Sequence, residues 1–412
     1  MEEPAFSNLL IVMAVAFASP FLLGLAPRLR LPSVVFEIVA GIIIGPSVFG
    51  WVEVDETISV LALIGLAILL FLAGLEIDFD RLRGRLLRLA LLGWGLSFVI
   101  AVVASLLLKA AGLVETPLLV AIILCATSLG VIIPVLKDVG ELTTKFGQLV
   151  LAAASIADFG AVILLSFFFS GEGGPGSTAI LLGVFVALLG VTFFVVREAE
   201  RSERVEEDLL RLQDSSAQIR VRAAMVLMIA FVALAEGLGL EVILGSFAAG
   251  ALLSLLDRDQ RMTHANFRTK LEAIGFGLFI PVFFVTSGIR FDLQALLDDP
   301  SNLAMVPIFL VALLAVRGLP AFVYRRFVGG RRATIAGVLQ ATSLPFIVAA
   351  TAIGQDLGLM DAAEASALIA AGLLSVLIFP ISGLSLLRRA MKEEGTPAPE
   401  PSATEPAPQM AM

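Results

Sequence analysis

The stretches C-A-T-S-L-G-V-I-I-P, residues 125–134, and Q-A-T-S-L-P-F-I-V-A, residues 340–349, place one tetrapeptide in two apolar segments far apart in the chain. Each copy combines Thr and Ser with residues that disfavour a continuous helix: Gly130 and Pro134 in the first, Pro345 in the second. Proline removes an intrahelical hydrogen bond, and Thr or Ser can satisfy the carbonyl groups that are set free. Both segments are therefore predicted to be broken helices that meet near the middle of a membrane.

The composition identifies an integral membrane protein. Of the 412 residues, 58% are hydrophobic and only 16% are charged, and the mean hydropathy is +0.99. The apolar residues form thirteen blocks of about 20 residues, the length at which a helix crosses a bilayer. We predict an all-α polytopic protein with 13 transmembrane helices. The predicted spans are 5–26, 31–51, 57–77, 86–111, 117–136, 145–170, 177–197, 221–238, 241–256, 271–289, 302–324, 333–354 and 362–386.

The positive charges predict the orientation. Alternate loops hold 25 of the 28 Lys and Arg residues, while the other loops carry Arg290 and acidic residues such as Glu53 and Asp298. Because basic loops stay in the cytoplasm, we predict a cell-membrane protein with its N-terminus outside the cell and its C-terminus in the cytoplasm. A net charge of -8 disfavours nucleic-acid binding.

The two ATSL copies also predict how the chain is organised. The first lies in the fifth span and the second in the twelfth, so the two segments run in opposite directions, as expected for inverted-topology repeats. The predicted parts are a transmembrane domain, 1–388, with repeats at about 5–170 and 221–388; a joining span, 177–197, with a helical cytoplasmic linker, 198–220; and a disordered cytoplasmic tail, 389–412.

Two charged residues stand out inside the predicted spans, where an ionised side chain costs about 2.5 to 3.5 kcal/mol. Asp158 lies near the middle of the sixth span and is too short to reach water. Arg317 lies inside the eleventh span and is long enough to reach an interface. Glu37 and Glu76 are weaker signals, for which structural and ion-pathway roles both stay open. Asp158 is thus the leading candidate for a functional carboxylate.

Three segments together resemble the monovalent cation:proton antiporters, in particular the Kef-like, Na⁺/H⁺ exchanger branch. They are L-P-S-V-V-F-E-I-V-A-G-I-I-I-G-P-S-V-F-G at 31–50, F-L-A-G-L-E-I-D at 71–78 and I-P-V-F-F-V-T-S-G-I-R-F-D-L at 280–293. The resemblance covers about residues 5–388. It implies two crossing broken helices beside an essential aspartate, a separate dimerisation domain, a homodimer and elevator-like alternating access.

The resemblance places the ion site. Asp158 falls on the family's ion-binding aspartate, and Thr127 and Ser128 lie on one crossing helix. Because Na⁺ prefers several oxygen ligands, we predict that Ser155, on the same helix face as Asp158, and Thr127 with the unwound backbone at Ser128 supply others. Glu76 ranks below them. The predicted Na⁺ ligands are thus Asp158, Ser155 and Thr127.

A second group is predicted to stabilise the core. Arg317 falls on the family's basic residue before the second crossing helix, which contains Thr342 and Ser343. We predict that Arg317 does not pair permanently with Asp158 but stabilises the crossing helices, their carbonyl ends or the empty site. Thr342, Ser343 and Glu37 complete this group.

Two departures from the family pattern bear on stoichiometry. Many relatives have a polar or acidic residue before the aspartate, where this chain has Ala157, and electrogenic relatives usually have Lys where this chain has Arg317. Arginine stays protonated at any working pH. One carboxylate without a titrating lysine predicts an electroneutral exchange of one cation for one proton.

The predicted protein is therefore a transporter rather than an enzyme, without a cofactor, that serves pH homeostasis. Its predicted partners are the bilayer, H⁺ and Na⁺, with Li⁺ and K⁺ as other candidate cations. The alternatives left open are a cation channel or Kef-like K⁺ efflux pathway, and a sodium-coupled transporter of organic anions on a similar fold.

Overall fold

The chain folds as an all-helical protein. The computed structural model describes residues 6–25, 32–77, 79, 82, 84–169, 174–200, 218–256 and 265–393, and no β-strand occurs within these ranges. Most of the predicted linker helix and the tail after residue 393 lie outside the described residues. The last helix runs through Glu393, so residues 389–393, predicted as disordered, are helical because they continue its hydrogen-bonded turns.

The helices follow one another with short connections. In chain order they are α1 (Phe6–Leu25), α2 (Ser33–Ile44), α3 (Glu56–Leu75), α4 (Gly84–Ala110), α5 (Pro117–Cys125), α6 (Leu129–Asp138), α7 (Lys145–Phe169), α8 (Gly174–Glu200), α9 (Ile219–Gly237), α10 (Val242–Leu256), α11 (Ala265–Ile274), α12 (Ile280–Ile289), α13 (Leu293–Leu297), α14 (Pro300–Gly318), α15 (Arg325–Val328), α16 (Gly330–Gln340), α17 (Pro345–Asp356) and α18 (Ala362–Glu393). A π-helical turn, Gly275–Phe279, joins α11 to α12, and a 3₁₀ segment, Leu319–Tyr324, joins α14 to α15.

Among the described residues, nine helical segments are long and apolar enough to cross a membrane, or ten if α16 and α17, bent by 43°, form one span. Each of the thirteen predicted spans contains a helix. However, α2 and α10 have only 12 and 15 residues, and α9 carries Arg220, Arg222 and Glu236. The multi-pass architecture is confirmed, whereas the number thirteen stays a prediction.

Glycines set the crossing of α2 and α12. A Cβ atom added to Gly41 would lie 2.2 Å from the carbonyl oxygen of Val285, and one added to Gly288 would lie 2.1 Å from that of Ile38. No real Cβ atom tolerates such distances, so only glycine allows the two backbones to approach this closely. The crossing point is thus fixed by these two residues.

Helices α3 and α10 repeat the same contact. A Cβ atom added to Gly250 would lie 2.0 Å from the carbonyl oxygen of Phe71, and one added to Gly74 would lie 2.2 Å from that of Phe247. The same reciprocal pattern joins Gly41 and Gly288. In this second crossing, Gly250 of the second half takes the place of Gly41, and Gly74 of the first half takes the place of Gly288. This correspondence is what a pseudo-two-fold axis between inverted repeats produces.

The first ATSL copy interrupts the span formed by α5 and α6. Helix α5 ends at Cys125, Ala126 is extended with φ -74° and ψ 160°, and α6 begins at Leu129. The break therefore precedes Gly130 and Pro134, which lie inside α6. Assigning the break to these two residues was wrong, because a proline removes only one hydrogen bond and a packed helix tolerates that loss.

The second copy separates α16, which ends at Gln340, from α17, which begins at Pro345. Proline suits a first helical position, where its missing N–H has no intrahelical partner anyway. The two breaks touch: the backbone N–H of Ser128 donates to the carbonyl of Thr342 at 2.8 Å. The predicted crossing of two discontinuous helices is confirmed.

The remaining helices support these two breaks. Helices α4, α5 and α7 pack against one another, and α14, α16 and α17 pack against α18. Helices α2, α3, α10 and α12 form the glycine-mediated contacts described above. The crossing thus lies within one group of helices, and the close-packed glycine crossings lie in another.

Candidate ion-binding site

Asp158 lies on α7 beside the first break. The backbone N–H of Thr127 donates to its carboxylate at 3.1 Å, and the N–H of Leu129, at the start of α6, is near enough to interact with it. Residues 152–154 and Ala157, all alanine, are buried and allow the break to approach α7 closely. Asp158 itself is partly exposed. The carboxylate is thus held by backbone groups at a helix N-terminus, a position that suits a negative charge.

The Thr127 side chain joins the two broken helices. Its hydroxyl donates to the carbonyl of Gln340, the last residue of α16, at 2.9 Å, and accepts from Nε of Arg317 at 2.8 Å. A hydroxyl has one donor and two acceptor positions, so a single lone pair remains. The main use of this hydroxyl is therefore to connect the first break to α16 and α14.

Arg317 is the largest polar side chain in the interior, with 2% of its surface exposed. Besides Thr127, its guanidinium donates to the Ser97 hydroxyl on α4 at 3.1 Å and to Oε1 of Gln340 at 3.3 Å. It forms no ion pair with a carboxylate of the described residues. Instead of reaching an interface, Arg317 connects three helices and the first break through neutral oxygens.

Asp158 is close enough to interact electrostatically with both Arg317 and Glu76. Thr127 lies between Asp158 and Arg317, since its N–H bonds to the carboxylate and its hydroxyl to the guanidinium. Glu76 follows the last residue of α3 and pairs with Arg268 across 3.6 Å, with 22% of its side chain exposed. Asp158 therefore has one cationic and one anionic neighbour and directly pairs with neither.

The two predicted serine ligands lie on the two elements that meet at the carboxylate, α7 and the first break. Ser155 lies three residues before Asp158 on α7, and Ser128 lies in the first break; each is 7% exposed. Neither hydroxyl bonds to another residue in the part of the chain that the structure describes. Their oxygens are thus free to act as ligands.

The second break is capped differently. The N–H of Ser343 donates to the hydroxyl of Ser375 on α18 at 3.1 Å, and that hydroxyl lies 2.9 Å from the Ser343 carbonyl. The hydroxyls of Thr342 and Ser343 are buried and have no partner among the described residues. The polar groups of the second break thus face other helices rather than a carboxylate.

The structure separates Glu37 from this arrangement. Glu37 is 3% exposed on α2, and among the described residues no hydrogen bond joins it to either break. Conversely, sequence reasoning did not select Gln340, Ser97 or Ser375. Only Gln340 gave a signal, as a polar residue directly before the second ATSL in an apolar span; Ser97 and Ser375 resemble any serine that packs helices.

Two broken helices that cross inside a helical membrane protein, with a carboxylate beside the crossing, define a secondary transporter built from inverted repeats. The sequence model of the family described as "Sodium/hydrogen exchanger, transmembrane" matches residues 13–389. The chain belongs to this family of cation:proton antiporters, which are transporters and not enzymes.

Individual relatives agree with this assignment. The chain is 32% identical over 409 residues to the putative Na(+)/H(+) antiporter YjbQ of Bacillus subtilis, covering 96% of this chain and 65% of that protein. It is 29% identical over 378 residues to the probable Na(+)/H(+) antiporter 3 of Methanocaldococcus jannaschii, covering 90% and 94%. The chain thus spans less than two thirds of the Bacillus protein.

A solved structure shows the same fold. The electron-microscopy structure of the sodium proton antiporter MjNhaP1 from Methanocaldococcus jannaschii matches 97% of this chain and 100% of that chain with a TM-score of 0.65. The identity is 16%. The likeness extends over the whole helical architecture.

Proposed function

We propose that this protein exchanges a monovalent cation, with Na⁺ as the first candidate, for H⁺, and that Asp158 holds either the cation or the proton. The observation that carries the proposal is the placement of Asp158, a partly exposed carboxylate held by the backbone N–H of Thr127 at a helix break. Unwound backbone beside an acidic side chain supplies the oxygens that a dehydrated cation needs. Family membership supports the same reaction.

The other ligands are proposed from position. The hydroxyls of Ser155 and Ser128 form no hydrogen bond with a described residue. Glu76 is near enough to interact electrostatically with Asp158. Because the Thr127 hydroxyl already bridges two groups, Thr127 contributes its remaining lone pair or its backbone oxygen. Among these ligands, Asp158 is the one whose carboxylate binds the proton and the cation in turn.

We further propose a stoichiometry of one cation per proton. Arg317 stays protonated, and its three hydrogen-bonding partners are neutral oxygens, so it does not titrate in the cycle. Ala157 leaves Asp158 as the single carboxylate on this turn of α7. Each cycle then moves one cation in one direction and one proton in the other. No net charge crosses the membrane, so the rate of net transport does not depend on voltage.

The geometry favours exchange over the alternative functions. An organic-anion carrier needs a basic group facing the cavity, whereas the Arg317 guanidinium is buried and engaged with protein oxygens. A channel needs a continuous polar path, whereas the breaks bond directly to each other through Ser128 and Thr342.

We place the protein in the cell membrane with its N-terminus outside and its C-terminus in the cytoplasm, on the distribution of Lys and Arg. The family resemblance supports a homodimer, with repeats at about 5–170 and 221–388 as the two halves of the transport domain. The packing around the breaks is consistent with that division, since each break contacts mainly helices of its own half.

The test measures proton flux in proteoliposomes on addition of Na⁺, Li⁺ or K⁺ with the membrane potential clamped. Asp158→Asn is expected to fold and insert normally but to lose cation-driven proton movement, because the amide cannot exchange a proton for a cation. Asp298→Asn, an exposed carboxylate at the surface, is the matched control and is expected to keep full exchange.

Retained cation-driven proton flux in Asp158→Asn would contradict the assignment of Asp158. Cation flux without proton movement would instead identify a channel. A voltage-dependent rate in the unmodified protein would contradict the one-to-one stoichiometry.

A further inference from the structure

A cavity of about 170 Å³ lies between α3, α12, α17 and α18, at the end of α3 opposite Glu76. Arg290 and Asp356 line its mouth, and Leu66 and Val348 lie among its deeper residues. Leu66 is halfway along α3, and Val348 is in the first turn of α17, just after the second break. The cavity thus leads from one surface towards the crossing of the broken helices.

The two ends of the path are related by the internal repeat. Residues 74–79 read G-L-E-I-D-F, and residues 288–293 read G-I-R-F-D-L. Their first residues are the glycines of the two equivalent crossings. The alignment places Glu76 at the position of Arg290.

The backbone supports this equivalence. Glu76 caps α3 with φ -74° and ψ -11°, and Arg290 caps α12 with φ -75° and ψ -10°. The next residues match as well: the carbonyl of Ile77 accepts from the Ser254 hydroxyl at 2.5 Å, and that of Phe291 from the Ser47 hydroxyl at 2.6 Å. Opposite charges therefore stand at structurally equivalent positions.

The charge of Arg290 is not neutralised locally. Its guanidinium is exposed and donates to the Ser59 hydroxyl at 3.1 Å, and it forms no ion pair with a carboxylate among the described residues. Asp356 lines the same cavity without pairing to it. A charge at the mouth of a cavity acts over roughly 8 to 10 Å at ordinary ionic strength, so a cation entering here meets repulsion.

Glu76 has the opposite effect at its own end. Its carboxylate is partly exposed, shared with Arg268 and close enough to interact with Asp158. A cation arriving on that side meets the Glu76–Arg268 ion pair, rather than an unpaired cationic group, before it reaches the site. We call the membrane face on which Arg290 lies the Arg290 face, and the one on which Glu76 lies the Glu76 face.

We infer that Arg290 makes the exchange sided, by weakening cation binding from the Arg290 face relative to the Glu76 face. This inference rests on the proposed cation exchange and adds a determinant of the apparent cation affinity on each face. Asp356, at the same mouth, partly offsets the effect of Arg290. Identical inverted repeats would give the two entrances the same charge. The opposite charges of Glu76 and Arg290 make the two entrances electrostatically unequal.

The test compares the full-length protein in right-side-out and inverted membrane vesicles, which present opposite faces to added Na⁺. At low ionic strength, Arg290→Gln is expected to lower the Na⁺ concentration for half-maximal exchange at the Arg290 face by about two- to tenfold, and to leave the Glu76 face unchanged. Arg290→Lys, which keeps the charge, is the matched control and is expected to behave like the unmodified protein. Asp356→Asn is expected to shift the Arg290 face in the opposite direction.

The effect of Arg290→Gln is expected to shrink as an inert salt is added, because salt screens exposed charges. The inference is overturned if Arg290→Gln shifts both faces equally or neither, or if Arg290→Lys shifts the Arg290 face as Gln does. Asp158→Asn separates the two proposals. If it is inactive while Arg290→Gln causes no sided shift, only the sidedness fails; if it remains active, the assignment of Asp158 as the exchanging carboxylate fails.

Discussion

The two ATSL breaks share a sequence and a position in their repeats but bond to different groups. At the first, the N–H of Thr127 bonds to the carboxylate of Asp158 on α7. At the second, the N–H of Ser343 bonds to the hydroxyl of Ser375 on α18. A neutral side chain thus takes the capping role at the second break that a carboxylate takes at the first.

This difference explains how a nearly symmetric scaffold provides one charged site. Both breaks expose backbone groups, and either could contribute oxygens to a cation. Only the first has a side chain able to exchange a proton for a cation at that point. The second break serves mainly as a partner for the first, through the contact between Ser128 and Thr342 and through Gln340.

The largest effect on this comparison is expected from Arg317→Met, which removes the group that holds both breaks. Ser97, Thr127 and Gln340 would lose a donor in a buried position, at a cost of about 1 to 3 kcal/mol for each group that finds no other partner. We expect a lower melting temperature in detergent and at least about a tenfold loss of exchange, since a misplaced site loses binding geometry.

Arg326→Met, an exposed arginine at the surface, is the control and is expected to leave both measurements unchanged. Arg317→Lys is expected to be intermediate, because an ammonium group lacks the planar fork that reaches three oxygens. Full activity and stability of Arg317→Met would show that the breaks hold together without it.

A smaller and more discriminating effect is expected from the pair Thr127→Val and Thr342→Val. Valine has nearly the shape of threonine without its hydroxyl. Thr127→Val removes the bridge between Arg317 and Gln340 and leaves a buried charged donor short of a partner, so we expect a loss of about 2 to 3 kcal/mol and slower exchange.

Thr342→Val removes a buried hydroxyl that has no partner among the described residues, so we expect the melting temperature to stay the same or rise slightly. Thermal unfolding and exchange rates measured side by side test the pair. Equal effects of the two substitutions would remove the distinction between the breaks.

The smallest destabilisation is expected from Ser375→Ala, which removes the cap of the second break. The backbone of Ser343 would lose its hydroxyl partner, at a cost of about 1 to 2 kcal/mol. We expect a modest drop in melting temperature with exchange nearly intact. A loss of exchange as complete as that of Asp158→Asn would give the second break a direct role in binding.

The features that were predictable from sequence are those that depend on local properties. Hydropathy predicted the multi-pass architecture, and the helix-weakening tetrapeptide predicted both breaks. Pro134 misled this reasoning, since a proline in a packed helix does not have to break it. The glycine contacts of Gly41 and Gly250 were not predicted, because close approach depends on which helices cross.

The sequence by itself determined that this protein crosses a membrane many times, that two antiparallel spans are interrupted, and that Asp158 is the acidic residue in the sixth span. These follow from the cost of placing polar groups in hydrocarbon, which each segment meets separately. The tertiary structure decided that Thr127 bridges Asp158 and Arg317, that Arg317 bonds to neutral oxygens, and that Ser375 caps the second break. Those pairings join residues far apart in the chain, and only the crossing of the helices brings their atoms within hydrogen-bonding distance.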